Sequence, residues 1–104
     1  MVITFIETRL FTRLVGQYLT DEQYAQLQHA LAGDPELGAV IPGTGGVRKV
    51  RWGSSGWSKR GGARVIYYAR TSQGQIWLLT IYGKSVRDSI PAHVLRQIRE
   101  EIGD

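Results

Sequence analysis

The chain predicts an α/β (α+β) domain with the element order βααβββα. Three observations carry this. A short alternating stretch, "VITFIE", is followed by two segments with apolar residues at helical spacing. Three runs rich in β-branched and aromatic residues, "VRKVRW", "ARVIYYA" and "QIWLLTIYG", come next, separated by turn-forming residues. An amphipathic segment, "SIPAHVLRQIREEIGD", closes the sequence. The expected architecture is a small, mainly antiparallel sheet with a helical hairpin on one face and a C-terminal helix, in a single domain over residues 1–104.

Each element has a local reason. Val2 to Glu7 alternates apolar residues as a strand does, and Thr8 is placed to cap a helix over about residues 9–17. Phe11, Leu14, Val15 and Tyr18 form its stripe. The second helix is announced by a capping box, Thr20 with Gln23, and by Asp21 and Glu22 where the helix dipole favours anions. Tyr24, Leu27 and Leu31 are its buried stripe, and Gly33 and Pro35 end it. "GAVIPGTGG" reads as turn, and "GSSGWSKRGG" as a long connection between strands. "TSQG" is a tight turn, and the apolar character of "QIWLLTIYG" on both faces predicts a central strand. Pro91 is harmless near the start of the last helix, whose apolar face is Ile90, Val94, Leu95, Ile98 and Ile102.

Length and composition exclude several classes. The 104 residues allow one core, and 42% hydrophobic content is incompatible with a disordered chain. With no cysteine there are no disulfides, thiolate metal sites or cysteine nucleophiles. No basic segment followed by an apolar stretch opens the chain, and no apolar run approaches the roughly 18 residues of a membrane span. A cytoplasmic protein without membrane association is expected.

The net charge of +4 hides a strong segregation. Between Glu36 and Asp88 there is no acidic residue, yet that interval holds Arg48, Lys49, Arg51, Lys59, Arg60, Arg64, Arg70, Lys84 and Arg87. All nine acids lie in the flanks. A cationic middle of this kind suits a polyanion.

Residues two apart in a strand share a face. Arg64, Ile66, Tyr68 and Arg70 therefore point one way, and Val65, Tyr67 and Ala69 the other. If the helices cover the second set, an arginine–tyrosine stripe is left on an open face. Lys59 and Arg60 precede it in the loop, and Lys84 follows the last strand. Arginine forks match phosphate oxygens, and aromatic rings match bases. Tyr68 is the candidate base contact, whereas Tyr67 and Trp77 read as core. Trp57 suits stacking on a base and packing on the sheet equally. Lys49 and Arg51 read as edge-strand charges that deter aggregation. "GTGG" is not a phosphate loop, because no Gly-Lys-Ser/Thr follows it. His29 and His93 lie outside the basic interval and read as structural or solvated. No metal-ligand spacing is evident, so no metal or cofactor is expected.

Such a site is chemically competent on RNA, which carries its own nucleophile in the 2′-hydroxyl. Lysines with pKa values depressed by neighbouring cations can move protons, and arginine, always charged, can clamp the phosphorane charge.

Three segments in this order, "IPGTGGVRKVRW", "KRGGARVIYY" and "QIWLLTIYGKS", resemble RelE/HigB-type toxins of type II toxin–antitoxin modules. The resemblance spans nearly the whole chain. It implies a RelE-like fold and a metal-independent, ribosome-dependent endoribonuclease (an mRNA interferase) that cleaves mRNA in the ribosomal A site and leaves a 2′,3′-cyclic phosphate. It also implies a cognate antitoxin of the HigA or RelB type. By position, Arg64 corresponds to the transition-state clamp, Lys59 and Arg60 to the basic loop, and Lys84 to the lysine after the last strand. Ser85 stands where some relatives have arginine, and "SIPAH" where some have tyrosine, which leaves the general acid unassigned.

The expected catalytic residues are thus Lys59, Arg64 and Lys84, with Arg48, Arg60 and Tyr68 as substrate contacts. A ParE-like gyrase inhibitor on the same fold and a non-catalytic RNA-binding module are the alternative readings.

Overall fold

Strand β1 (Thr4–Glu7) passes into helix α1 (Arg9–Tyr18) through Thr8. Its hydroxyl accepts from the Phe11 amide (3.0 Å), capping the helix, and donates to the Leu79 carbonyl (2.7 Å), fixing the helix start to a strand distant in sequence. The computed structural model describes residues 2–53, 62–83 and 90–103. Helix α2 (Asp21–Gly33) opens with the complete capping box: the Gln23 amide donates to the Thr20 hydroxyl (3.1 Å) and the Thr20 amide to the Gln23 side chain (2.9 Å). Then follow β2 (Ala39–Val40), β3 (Arg48–Trp52), β4 (Ala63–Arg70), a 3₁₀ turn (Thr71–Gln73), β5 (Gln75–Gly83) and α3 (Ala92–Ile102).

The strands form one mixed sheet in the order β1-β5-β4-β3-β2. Strands β2 to β5 pair antiparallel, and β1 pairs parallel with β5. Central placement of β5 agrees with its two apolar faces. A fifth strand, β2, lies inside the segment read as turn. Two residues carry no periodicity, and what holds them is the turn that follows. The fully buried Thr44 hydroxyl donates to the Ile41 carbonyl (2.7 Å) and accepts from the Val47 amide (3.1 Å), while Ile41 N–H reaches the Val47 carbonyl (2.8 Å). Gly43, Gly45 and Gly46 supply the positive φ angles this turn needs.

The sheet is covered on both faces. Phe11, Leu27 and Leu31 of the helical hairpin pack with Val65, Tyr67, Ile76, Leu78 and Ile81. On the opposite face Leu95 of α3 packs with Val47, Ile66, Tyr68 and Leu79. Each such side chain contributes about 1.5–3 kcal/mol of burial. An irregularity at Ile66/Tyr67, where Ile66 pairs with Thr80 and Tyr67 with Leu78, keeps Leu79 on the α3 side. Among the described residues, no helix is long and apolar enough to cross a membrane.

Candidate nucleic-acid interface

The ladder register fixes which cations share a face, since paired residues of antiparallel strands project to the same side. Lys49 pairs with Ile66 and Arg51 with Arg64, and Arg64 in turn pairs with Tyr82 of β5. Ile66 and Tyr82 belong to the α3-side cluster, so Lys49, Arg51 and Arg64 lie on that side too. Arg48 pairs with Tyr67, which is packed under the helical hairpin, so Arg48 lies on the other side.

The two sides differ in how their charges are met. Arg48 is held by the segment between α2 and β2: its guanidinium donates to the carbonyls of Gly38 (2.7 Å) and Glu36 (3.3 Å) and lies 3.7 Å from the Glu36 carboxylate. Arg51 and Arg64 are direct cross-strand neighbours of like charge. The ion pairs formed between described residues, Arg48–Glu36 and Arg96–Glu100, involve neither of them nor Lys49. Among the described residues, the Arg64 guanidinium makes one hydrogen bond, a marginal 3.5 Å approach to the Gly62 carbonyl. Lys49 and Arg51 are exposed and Arg64 is half-buried. β2 pairs only with Arg48 and Lys49, so β3 has no outer neighbour from Val50 onward among the described residues. Arg51 there also borders a shallow cleft with Gln23, Gln26, Trp52 and Gly53.

The expected open arginine–tyrosine stripe is therefore confined to one end of the sheet. Helix α3 covers the rest, because its apolar face needs a partner and the hairpin already occupies the other side. Tyr68, read as a base contact, is only 8% exposed. Its ring packs in the α3-side cluster, with the Arg99 guanidinium 5.1 Å from its centroid. Arg99 is itself oriented by donation to the Gly45 carbonyl (2.9 Å). Arg70, at the far end of β4, donates to the Gln75 side chain (3.3 Å). Of the sequence-derived site residues, Arg64 lies in the basic strip that no described element covers, and Arg48 and Tyr68 do not. Lys59, Arg60 and Lys84 lie outside the described residues, as does Trp57.

The ends of the three strands beside that strip are adjacent, since Ala63 pairs with both Trp52 and Gly83. Gly53, next along from β3, has φ +83°, and a Cβ there would come within 2.5 Å of Leu19 Cδ2, so glycine is required where β3 leaves the sheet. Lys49 and Arg51 were read from sequence only as edge charges. Alternation in "VRKVRW" puts both on one face, but only the register brings Arg51 opposite Arg64. Beside them a cleft of about 110 Å³ is lined by Ile41, Lys49, Ile66, Tyr82, Ile90 and Leu95, drawn from five separate stretches of the chain.

Two tyrosines away from the strip have raised pKa values. Tyr24 is raised by burial and by its hydrogen bond to the Glu7 carboxylate. Tyr67 is raised by burial, although the Gly38 N–H and the charge of Arg48 act in the opposite sense. Exposed His29 and His93 lie on α2 and α3, and no group of three or more potential metal ligands occurs among the described residues. None of the known protein-family models matches this chain.

Proposed function

We propose that this chain is a RelE/HigB-type toxin, a metal-independent endoribonuclease that cleaves mRNA on the ribosome and is held in check by a cognate antitoxin of the HigA or RelB type. The observation that carries the reading is the pair Arg51 and Arg64, juxtaposed like charges that no described carboxylate meets, in an interval of the chain with no acid. Placing like charges opposite each other costs stability unless an anion joins them. A bridging phosphate offers oxygens to both forks.

In the proposed reaction the RNA 2′-oxygen attacks the adjacent phosphorus, the P–O5′ bond breaks, and a 2′,3′-cyclic phosphate remains. Arg64 stabilises the charge that builds on the non-bridging oxygens, a role that suits a side chain that stays protonated. Lys59 and Lys84 are assigned to proton transfer, one accepting from the 2′-hydroxyl and the other donating to the leaving oxygen, with Arg60 as a further substrate contact.

Induced expression followed by mapping of mRNA 5′ ends tests this. Translation should stop early, with cuts in translated messages that depend on ribosomes. Arg64→Ala should lower cleavage by about 100-fold or more, in line with loss of a transition-state donor. Full toxicity of that variant, or DNA synthesis failing before protein synthesis, would remove the assignment; the second result belongs to a gyrase inhibitor.

A further inference from the structure

The cleft beside the basic strip is apolar at its base and polar at its rim. Ile66 and Leu95 are almost fully buried, Ile41 and Ile90 flank them, and the Tyr82 side chain and exposed Lys49 complete the lining. Its volume of about 110 Å³ is far below the several hundred Å³ of a typical cofactor or drug-sized site. It is of the order of an apolar cavity that accepts one benzene ring, about 150 Å³. The Lys49–Ile66 pair lies two residues along the ladder from the Arg51–Arg64 pair, about 7 Å away at the usual strand rise. A ring-sized apolar recess therefore sits one short step from two guanidiniums that no described carboxylate meets.

We propose that this cleft receives a single pyrimidine base of single-stranded RNA while Arg51 and Arg64 hold the phosphate next to it. Charge complementarity decides the occupant: an apolar ligand alone would add no anion to the three neighbouring cations, which no described carboxylate meets, whereas a nucleotide satisfies recess and cations together. The recess is on the scale of one ring, so a pyrimidine base matches it better than a purine, whose second ring would lie outside. The Lys49 stem covers apolar surface while its ammonium remains free to meet the base's exocyclic oxygen or the backbone. This deepens the reading of the basic strip as an RNA site and does not require that the RNA be cut.

The test uses the purified full chain at low salt with fluorescein-labelled hexaribonucleotides, read by fluorescence anisotropy. The probes are hexacytidylate, hexaadenylate and a hexamer of the same charge without bases. Hexacytidylate should bind at least about fivefold more tightly than the baseless hexamer, the lower end expected for one accommodated base. It should also bind more tightly than hexaadenylate. Ile41→Trp, which fills the recess, and Tyr82→Leu, which removes its ring, should each bring hexacytidylate to the baseless value. The wild-type comparison needs no variant, so a misfolded substitution does not protect the proposal. Equal binding of the first and third probes, tighter binding of hexaadenylate, or an advantage that survives in a folded variant overturns it. A base advantage in a protein that cuts no mRNA in cells supports the cleft and removes the nuclease reading. Ribosome-dependent cutting without a base advantage does the reverse.

Discussion

Arg51 and Arg64 sit opposite each other across β3 and β4, and no described acid meets either. Like charges so placed are destabilising. Arg51→Gln should therefore raise the urea midpoint slightly while weakening RNA binding and translational arrest; loss of stability together with unchanged arrest would show the pair to be structural. Tyr67 presents the opposite case, a polar atom at a fully buried position whose bonds are complete. Its hydroxyl accepts from the Gly38 amide (2.9 Å) and donates to the Pro35 carbonyl (2.8 Å), tying β4 to the end of α2. Tyr67→Phe leaves both backbone groups unmet and should cost about 1–3 kcal/mol, measured by urea unfolding. The folded state also holds the phenols of Tyr24 and Tyr67 protonated beyond their ordinary range. An unfolded tyrosine releases its proton near pH 10, so this stabilisation is complete below about pH 10 and is lost as pH rises toward the folded values. Between about pH 9 and 11 the wild type should lose stability more steeply than Tyr67→Phe does. Little of this was legible beforehand. Tyr67 read correctly as core from alternation, but its partners lie 29 and 32 residues away.

At the scale of elements, legibility follows how local the cause is. The Thr8 cap and the Thr20 capping box rest on bonds spanning three residues, and both were readable. Strand β2 was not, because two residues in a Gly- and Pro-rich segment owe their pairing to the Thr44 turn. Nor was the parallel pairing of β1 with β5, which joins residues 71 apart. The placement of α3 was the costliest omission for the site. Its stripe of Leu95, Ile98 and Ile102 was plain in the sequence, but not which face of the sheet it would take. That choice buries Tyr68 and, among the described residues, leaves the Arg51–Arg64 end of the face uncovered. Leu95 is the residue that holds it, at 3% exposure against Val47, Ile66, Tyr68 and Leu79. Leu95→Ala should cost about 2–5 kcal/mol in chemical denaturation. A cost under about 1 kcal/mol would mean that α3 is not anchored there.

Across the whole molecule, charge and fold sort the cations into two populations. The sequence supplied the segregation, an acid-free interval from Leu37 to Arg87, but a linear count cannot separate a cation bound by its own protein from one left for a ligand. The sheet makes that separation: Arg48 on the hairpin side is bound by Glu36 and Gly38, while Lys49, Arg51 and Arg64 on the α3 side have no carboxylate among the described residues. Counterion release turns this difference into a measurement. Each phosphate neutralised on a single strand steepens the logarithmic dependence of affinity on salt by about 0.7. If Arg51 and Arg64 share one phosphate and Lys49 meets a second, the slope for a short single-stranded RNA should be at least about −1.4. Arg64→Ala should make it shallower by up to about 0.7 and weaken binding for every sequence alike. Arg48→Ala should leave the slope where it was, because its charge is already met by Glu36 and the Gly38 carbonyl. Its loss should appear instead as a small decrease in stability, since the Gly38 carbonyl loses a donor. Equal loss of slope in the two variants would put the nucleic acid on the hairpin side and remove the α3-side strip as its seat.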